Sequence, residues 1–236
     1  MDPRVERTFL GPSGDFSVHL LTRAHPQHQV VKEHFLQKWK KHVSGQPRVQ
    51  RIYFIRNSPQ VHEAFSAVAS RIGNVRRRFH GTSQAPGCNF GKNPSTPPCD
   101  SSDCRICSIA HHSFRTRCSG QTTASQNGGW LRYGRGLYFS ATSGKSNDYS
   151  AGSETIRREG DRRGKDWRWR CMFLCKVAVG RPFITTEGEL APDQCPPPNH
   201  DSVVGEVGPN LNYDEVVVYR DAQAVPSFLI VYALPI

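Results

Sequence analysis

Three short segments carry side chains whose types and order could do chemistry. The first is Phe79-His80-Gly81-Thr82. The second runs Gly134-Arg135-Gly136-Leu137-Tyr138-Phe139-Ser140 and continues to Lys145-Ser146-Asn147-Asp148-Tyr149. The third is Tyr213-Asp214-Glu215-Val216-Val217-Val218-Tyr219. A carboxylate such as Glu215 can stabilise developing positive charge or polarise a hydroxyl as a general base. Aromatic faces suit a flat cationic ring, and glycine lets backbone approach a ligand closely. Singly, each segment has an ordinary explanation. A His-Gly pair at a strand end makes a turn, and Gly-Arg-Gly lacks the spacing and helix of a dinucleotide fingerprint. A Glu opening a strand is usually solvated. The force of the three lies in their order and combination.

A fourth set is sulfur. Cys88, Cys99, Cys104 and Cys107 follow the spacing C-x10-C-x4-C-x2-C. A Cys-x2-Cys pair with two further cysteines nearby is a tetrahedral zinc pattern. The competing reading is a set of free thiols in a flexible loop. Residues 83–103 are rich in Pro, Ser, Gly and Asn and are expected to bury little apolar surface. A metal crosslink would supply the order that such a loop lacks. His111 and His112 stand close enough in sequence to substitute as ligands. Cys171 and Cys175 alternate with apolar residues and read as core.

The elements that must position these groups follow from pattern. Residues 1–15 read as an irregular lead-in, and an amphipathic stretch from Val18 predicts a helix near 28–42. VQRIYFIR (49–56) reads as a strand. Ser58 is a good N-cap and Pro59 a good first helical residue, so 59–72 should be helical. RRRFHGT is a short basic strand, and 104–114 could form a short helix. Residues 115–130 read as loop, LYFSA (137–141) as a strand and 143–150 as a helix start. The charged segment 154–169 looks exposed. CMFLCKVAV (171–179) is a buried strand, 181–212 a long Pro-rich connection, and EVVVYR and FLIVY the closing strands.

The 236 residues, 36% hydrophobic with 20 Gly and 17 Pro, suit a loop-rich α/β or α+β protein, and the many short strands, few helices and long loops point to α+β. Residues 1–48 are expected to be an N-terminal extension whose amphipathic helix packs on a domain spanning 49–236, with 83–130 as its long loop region. The net charge of +11 attracts polyanions such as nucleic acid, NAD phosphates or acidic peptides, or simply solvates the surface. No apolar run is long enough for a membrane span, so no membrane partner is expected. The first residues do not read as a secretory signal. A cytoplasmic or nuclear protein is expected, and there eight cysteines argue against a disulfide framework.

Taken together, HGT, GRGLYF, GKSNDY and EVVVY stand in the order found in the catalytic domain of the poly(ADP-ribose) polymerase family, which this sequence resembles over roughly residues 49–236. Tyr138 and Tyr149 are eleven residues apart, as that family's pattern has them. The resemblance implies the ADP-ribosyltransferase fold: two packed, mainly antiparallel sheets with flanking helices. It implies NAD as substrate and a macromolecular acceptor, protein or nucleic acid. His80, with Thr82, would bond the adenine-side ribose. Gly81 would bond the nicotinamide amide through its backbone, and Ser146 through its hydroxyl. Tyr138 and Tyr149 would sandwich the nicotinamide ring, Lys145 would sit near the reacting centre, and Glu215 would bond the nicotinamide-side ribose. His80, Tyr138 and Glu215 form the catalytic set that the resemblance implies. Val216 stands where the family commonly has Tyr. In tankyrases, a branch of that family, the zinc-binding cysteines lie after the tyrosine motif, so the cluster here is not carried over from them. Two other functions use the same features: an NAD glycohydrolase with water as acceptor, and a basic zinc module that binds nucleic acid without catalysis. The second does not need Ser146, Tyr149 and Glu215 in register.

Overall fold

The alternating residues of the VQRIYFIR segment form a strand that is paired on both sides. The computed structural model describes residues 2–11, 14–40, 45–119, 131–150, 155–156 and 167–235. In chain order the elements are β1 (Val5–Leu10), β2 (Ser17–Leu21), α1 (Pro26–Gln37), β3 (Arg48–Arg56), α2 (Pro59–Ile72), β4 (Val75–Gly81), α3 (Arg105–His112), β5 (Leu137–Phe139), α4 (Ser143–Asn147), β6 (Thr155–Ile156), β7 (Trp167–Ala178), β8 (Pro182–Thr185), β9 (Ser202–Gly205), β10 (Glu215–Val218) and β11 (Ala224–Pro235). The result is an α+β fold with two mostly antiparallel sheets and few helices.

The larger sheet has seven strands in the order β1-β2-β3-β11-β7-β4, with β6 also on β7. Every pairing in it is antiparallel. The smaller sheet runs β5-β10-β9-β8, and only β8 and β9 are parallel. Both faces of the larger sheet are covered, so β7 and β11 alternate between two cores rather than between core and water. Cys171, Phe173, Cys175, Leu229 and Val231 join Leu137, Phe139, Val216 and Val218 of the smaller sheet on one face. Met172, Leu174, Phe228, Ile230 and Tyr232 meet Val31, Phe35 and Trp39 of the α1 region on the other.

Helix α2 begins and ends where the residue types require. Ser58 Oγ accepts from Val61 N at 3.4 Å, Pro59 opens the helix, and Gly73 leaves it at φ +68°.

Three expectations differ from the structure. Residues 5–10 and 17–21 are not an irregular lead-in running into a helix. They form β1 and β2, and β2 is hydrogen-bonded to β3 with Val18 opposite Ile55 and Leu20 opposite Tyr53. Every residue of β2 but His19 is buried, so its five residues show no apolar–polar alternation that would separate them from the helical stretch beyond. Helix α1 itself stops at Gln37, short of the expected 42. The Pro-rich connection 181–212 contains β8 and β9, four residues each, below the length at which alternation is legible. The loop expected at 115–130 lies outside the described residues from 120 onward, as does most of the charged segment 154–169. Among the described residues, no helix is long and apolar enough to cross a membrane.

Among the described residues one backbone bridge links the two sheets. Phe79 N donates to the Ser140 carbonyl at 2.8 Å, and Ser140 N donates back to the Phe79 carbonyl at 3.0 Å. Phe79 turns into the helix-side core against His34 and Phe35. The next residue along the strand, His80, therefore faces the smaller sheet.

Candidate functional site

A cavity of about 230 Å³ opens beside this bridge. His80 and Gly81 border it from the end of β4, with Thr82 just beyond. Tyr138 comes from β5, Lys145 and Ser146 from α4, Tyr149 from two residues past it, and Glu215 from the head of β10. The eight positions singled out for small-molecule chemistry thus share one cavity, although they come from separate stretches of chain.

His80 is fixed in tautomer and orientation. Its Nδ1 lies 2.8 Å from the Tyr138 carbonyl, which can only accept. Nδ1 therefore carries the proton, and in the neutral ring Nε2 is left as an acceptor. Burial lowers the imidazole pKa, and the carbonyl contact opposes this only in part. Phe114 and Phe139 hold the ring at centroid distances of 5.1 and 5.4 Å.

Gly81 is required by close packing. A Cβ there would overlap the Ser146 carbonyl oxygen and lie 2.9 Å from Ser150 Oγ. Gly81→Ala should push α4 off the end of β4 and destabilise the protein by about 1–3 kcal/mol, the usual cost of overpacking. Equilibrium denaturation measures this, and an unchanged midpoint would contradict the close approach.

Five residues cannot sustain a helix by themselves, so α4 is held by its neighbours. Ser143 Oγ donates to the Phe35 carbonyl at 2.8 Å, and Ser143 N donates to the Lys38 carbonyl at 3.1 Å, both at the end of α1. Asn147 Oδ1 accepts from Tyr232 Oη at 2.8 Å, and Arg170 donates to the Asn147 carbonyl at 2.7 Å. The N-terminal helix therefore supports the cavity wall directly.

The Tyr138 hydroxyl is consumed beneath the cavity. It donates to the Gly134 carbonyl at 2.8 Å and accepts from Tyr133 N at 3.0 Å. Tyr149 is 45% exposed, with Lys145 Nζ 3.2 Å from its hydroxyl and 5.1 Å from its ring centroid.

Glu215 is 5% exposed. Its Oε1 lies 3.1 Å from Lys145 Nζ, whereas its Oε2 is buried with no hydrogen-bond partner among the described residues. Burial works against the Lys145 ammonium, but the attraction of Glu215 and Tyr149 outweighs it and raises the lysine pKa. A buried carboxylate oxygen left open beside a cavity is costly unless a ligand hydroxyl or amide completes it.

Asp214, the neighbour of Glu215, had no assigned role. Its carboxylate accepts from Ser140 Oγ at 2.9 Å, Ala141 N at 2.7 Å and Thr142 Oγ1 at 3.1 Å. It ties the head of β10 to the β5–α4 link and so sets where Glu215 stands. The signal in the sequence was only a second acid beside the first. Arg105, Ser108, Phe114 and Arg115, on and after α3, also border the cavity, and nothing in their spacing had pointed to it.

The sulfur cluster lies against the other side of α3. The Sγ atoms of Cys88, Cys99, Cys104 and Cys107 are all within 4.8 Å of one another. A zinc–sulfur distance of about 2.3 Å gives tetrahedron edges of roughly 3.8 Å, and Cys88 Sγ and Cys107 Sγ are 3.7 Å apart. The donor set could hold a metal ion and is compatible with zinc. Donation from the Cys104 and Cys107 thiols lowers the Cys88 pKa, and the same contacts leave Cys104 and Cys107 raised, so without a cation the cluster favours one thiolate shared among three sulfurs. Gln84 Nε2 donates to Cys88 Sγ at 3.2 Å, as a residue supporting a ligand would. His111 and His112 are not part of the cluster; the His111 ring packs on Phe16 at 4.8 Å. Cys171 and Cys175 are buried in β7. The loop also buries more than its composition suggested, because Ala85, Cys88 and Phe90 are enclosed in the sheet core.

No known protein-family model matches this sequence.

Proposed function

We propose that the protein is an NAD-dependent ADP-ribosyltransferase with the fold of the poly(ADP-ribose) polymerase catalytic domain. The observation that carries this reading is Glu215. It is a buried carboxylate with one oxygen held by Lys145 and the other open, at the wall of a cavity that Tyr138, Tyr149, Ser146 and Gly81 also border.

The nicotinamide–ribose bond breaks through an oxocarbenium-like state, as glycosidic bonds do. Glu215 stabilises that positive charge, and its open Oε2 accepts a ribose hydroxyl or polarises the acceptor hydroxyl. Lys145, 3.1 Å from Oε1, orients the carboxylate. The aromatic faces of Tyr138 and Tyr149 take the cationic ring, while the Gly81 backbone and the Ser146 hydroxyl hold its amide. The neutral His80 offers Nε2 to a hydroxyl of the second ribose, with Thr82 beside it. Zinc on Cys88, Cys99, Cys104 and Cys107 would crosslink the loop that carries α3 and take no part in the chemistry. The acceptor is a macromolecule, protein or nucleic acid.

Nicotinamide release from NAD by the purified protein tests the reading, and no release above the uncatalysed rate would refute it. A benzamide-type compound, which mimics the leaving ring, should also bind. At a hundredfold excess over Kd it adds about 2.7 kcal/mol of stability. Thermal denaturation with millimolar ligand reads this directly, and no shift in protein that binds NAD would displace the ring from Tyr138 and Tyr149.

A further inference from the structure

Strand β4 comes last in the order of the larger sheet, and among the described residues its outer edge is unpaired except at the Phe79–Ser140 bridge. Cations crowd that edge. Arg77 on β4 stands directly opposite Lys176 on β7, so the two share a face, and both are exposed. Like charges in direct opposition repel. Arg76, the next residue along β4, is also exposed and donates to Asn74 Oδ1 at 2.8 Å. Burial first, then Lys38, Arg77 and Arg78, lowers the His34 pKa, so the end of α1 lies against the same cluster. Arg78 alternates to the other face, where the Asp214 carboxylate attracts it. Among the described residues, no carboxylate forms an ion pair with Lys38, Arg76, Arg77 or Lys176. A cluster of this kind concentrates positive potential and attracts a polyanion.

The cluster adjoins the cavity by two routes. β4 runs on from Arg77 to His80, about 10 Å along the strand, and His80 borders the cavity. The Lys38 carbonyl accepts from Ser143 N at 3.1 Å, and Ser143 opens α4, which carries Lys145 and Ser146 to the cavity. The chemistry of the surface narrows the polyanion. A protein partner needs an apolar centre, and the one large apolar side chain exposed on β4 is Val75. A single strand needs aromatic faces for its bases, and the exposed residues of β4 are Val75, Arg76 and Arg77, none of them aromatic. A phosphate backbone whose bases are already paired fits what is left.

We propose that Lys38, Arg76, Arg77 and Lys176 form a docking surface for the phosphate backbone of double-stranded nucleic acid, which brings an acceptor beside the cavity. The docking stands on the surface alone. The acceptor role rests on the transferase reading, and it makes that acceptor nucleic acid rather than protein.

Fluorescence anisotropy of a short labelled DNA duplex, titrated with the full chain at several salt concentrations, tests it. Four phosphate contacts give a log–log salt slope of about −3.6, so affinity should fall about a hundredfold between roughly 50 and 200 mM salt. Arg77→Gln combined with Lys176→Gln should reduce the slope by about 2 and cut that fall to about tenfold. Both residues are exposed, so Tm should hold, or rise as the repulsion between them goes. An equal loss of charge by Arg7→Gln and Arg23→Gln, towards the opposite edge of the sheet, should leave the slope unchanged. Nicotinamide release from NAD without acceptor should be the same in all three proteins. A slope unchanged by the Arg77 and Lys176 substitutions, or reduced as much by those at Arg7 and Arg23, overturns the proposal. So does aggregation of the first variant with duplex affinity intact, which would make the cations guards of an open strand edge. A wild type that ignores the duplex but passes label from NAD to protein overturns it as well. If the duplex binds through these residues and NAD is not cleaved, the docking surface stands and the transferase reading falls.

Discussion

Glu215→Gln is expected to lower ADP-ribose transfer about a hundred- to thousandfold while changing NAD affinity by less than about tenfold. The substitution keeps size and hydrogen bonding at the head of β10 and removes the negative charge. Loss of one transition-state electrostatic contact is worth about 2.7–4 kcal/mol. The Asp214 clamp to Ser140, Ala141 and Thr142 is untouched, so the strand should stay in place. The variant also leaves Lys145 without the partner that now sits 3.1 Å away. Transfer to an acceptor should suffer more than hydrolysis, because water can react without a positioned base. Label transfer and nicotinamide release on one preparation, with NAD affinity by calorimetry, separate the terms. Near wild-type transfer would remove Glu215 from the chemistry. Loss of NAD binding along with activity would assign it a ground-state role instead.

Removing the metal is expected to have the other large effect. The purified protein should carry about one zinc per chain on Cys88, Cys99, Cys104 and Cys107. At free zinc a thousandfold above Kd, the ion adds about 4.1 kcal/mol, or roughly 8–16 °C in Tm for a chain of this length. A strong chelator, or Cys107→Ser, should therefore lower Tm by about that amount. Phe90 still anchors the loop, so the larger sheet should survive with its far-ultraviolet signal intact. Substrate binding should weaken with it, because α3 carries both sulfur ligands and cavity wall. Less than about a tenth of an equivalent of zinc in folded, never-chelated protein would leave the cysteines as free thiols.

How much of this was legible in the sequence varied with the range of the cause. Helix α2 was readable because its cap, Ser58, and its first residue, Pro59, are local signals. Strand β3 and the centres of β7 and β11 were readable from dense runs of β-branched and aromatic residues, but the start of β7 lay in the segment expected to be charged and exposed, where Trp167 is in fact buried. β1, β2, β8 and β9 were not, because strands of four to six residues leave too few alternations to stand out. The cavity positions were legible as a set only because three motifs kept a familiar order. Their mutual geometry was not, because it depends on contacts far apart in the chain: Phe79 with Ser140, Ser143 with Phe35, Tyr232 with Asn147. The cysteine spacing named its four members, but nothing in it showed that their helix also walls the cavity.

The central claim is tested most directly by NAD labelled separately in its nicotinamide and adenylate halves. Purified protein is incubated with this substrate, a protein mixture and nucleic acid, with Glu215→Gln protein in parallel. The account predicts that nicotinamide label is released while adenylate label becomes covalently attached to a macromolecule, both at rates that fall about a hundredfold or more in the variant. Release of nicotinamide with free ADP-ribose as the sole other product would make the protein a glycohydrolase, and release of neither label would contradict the account outright.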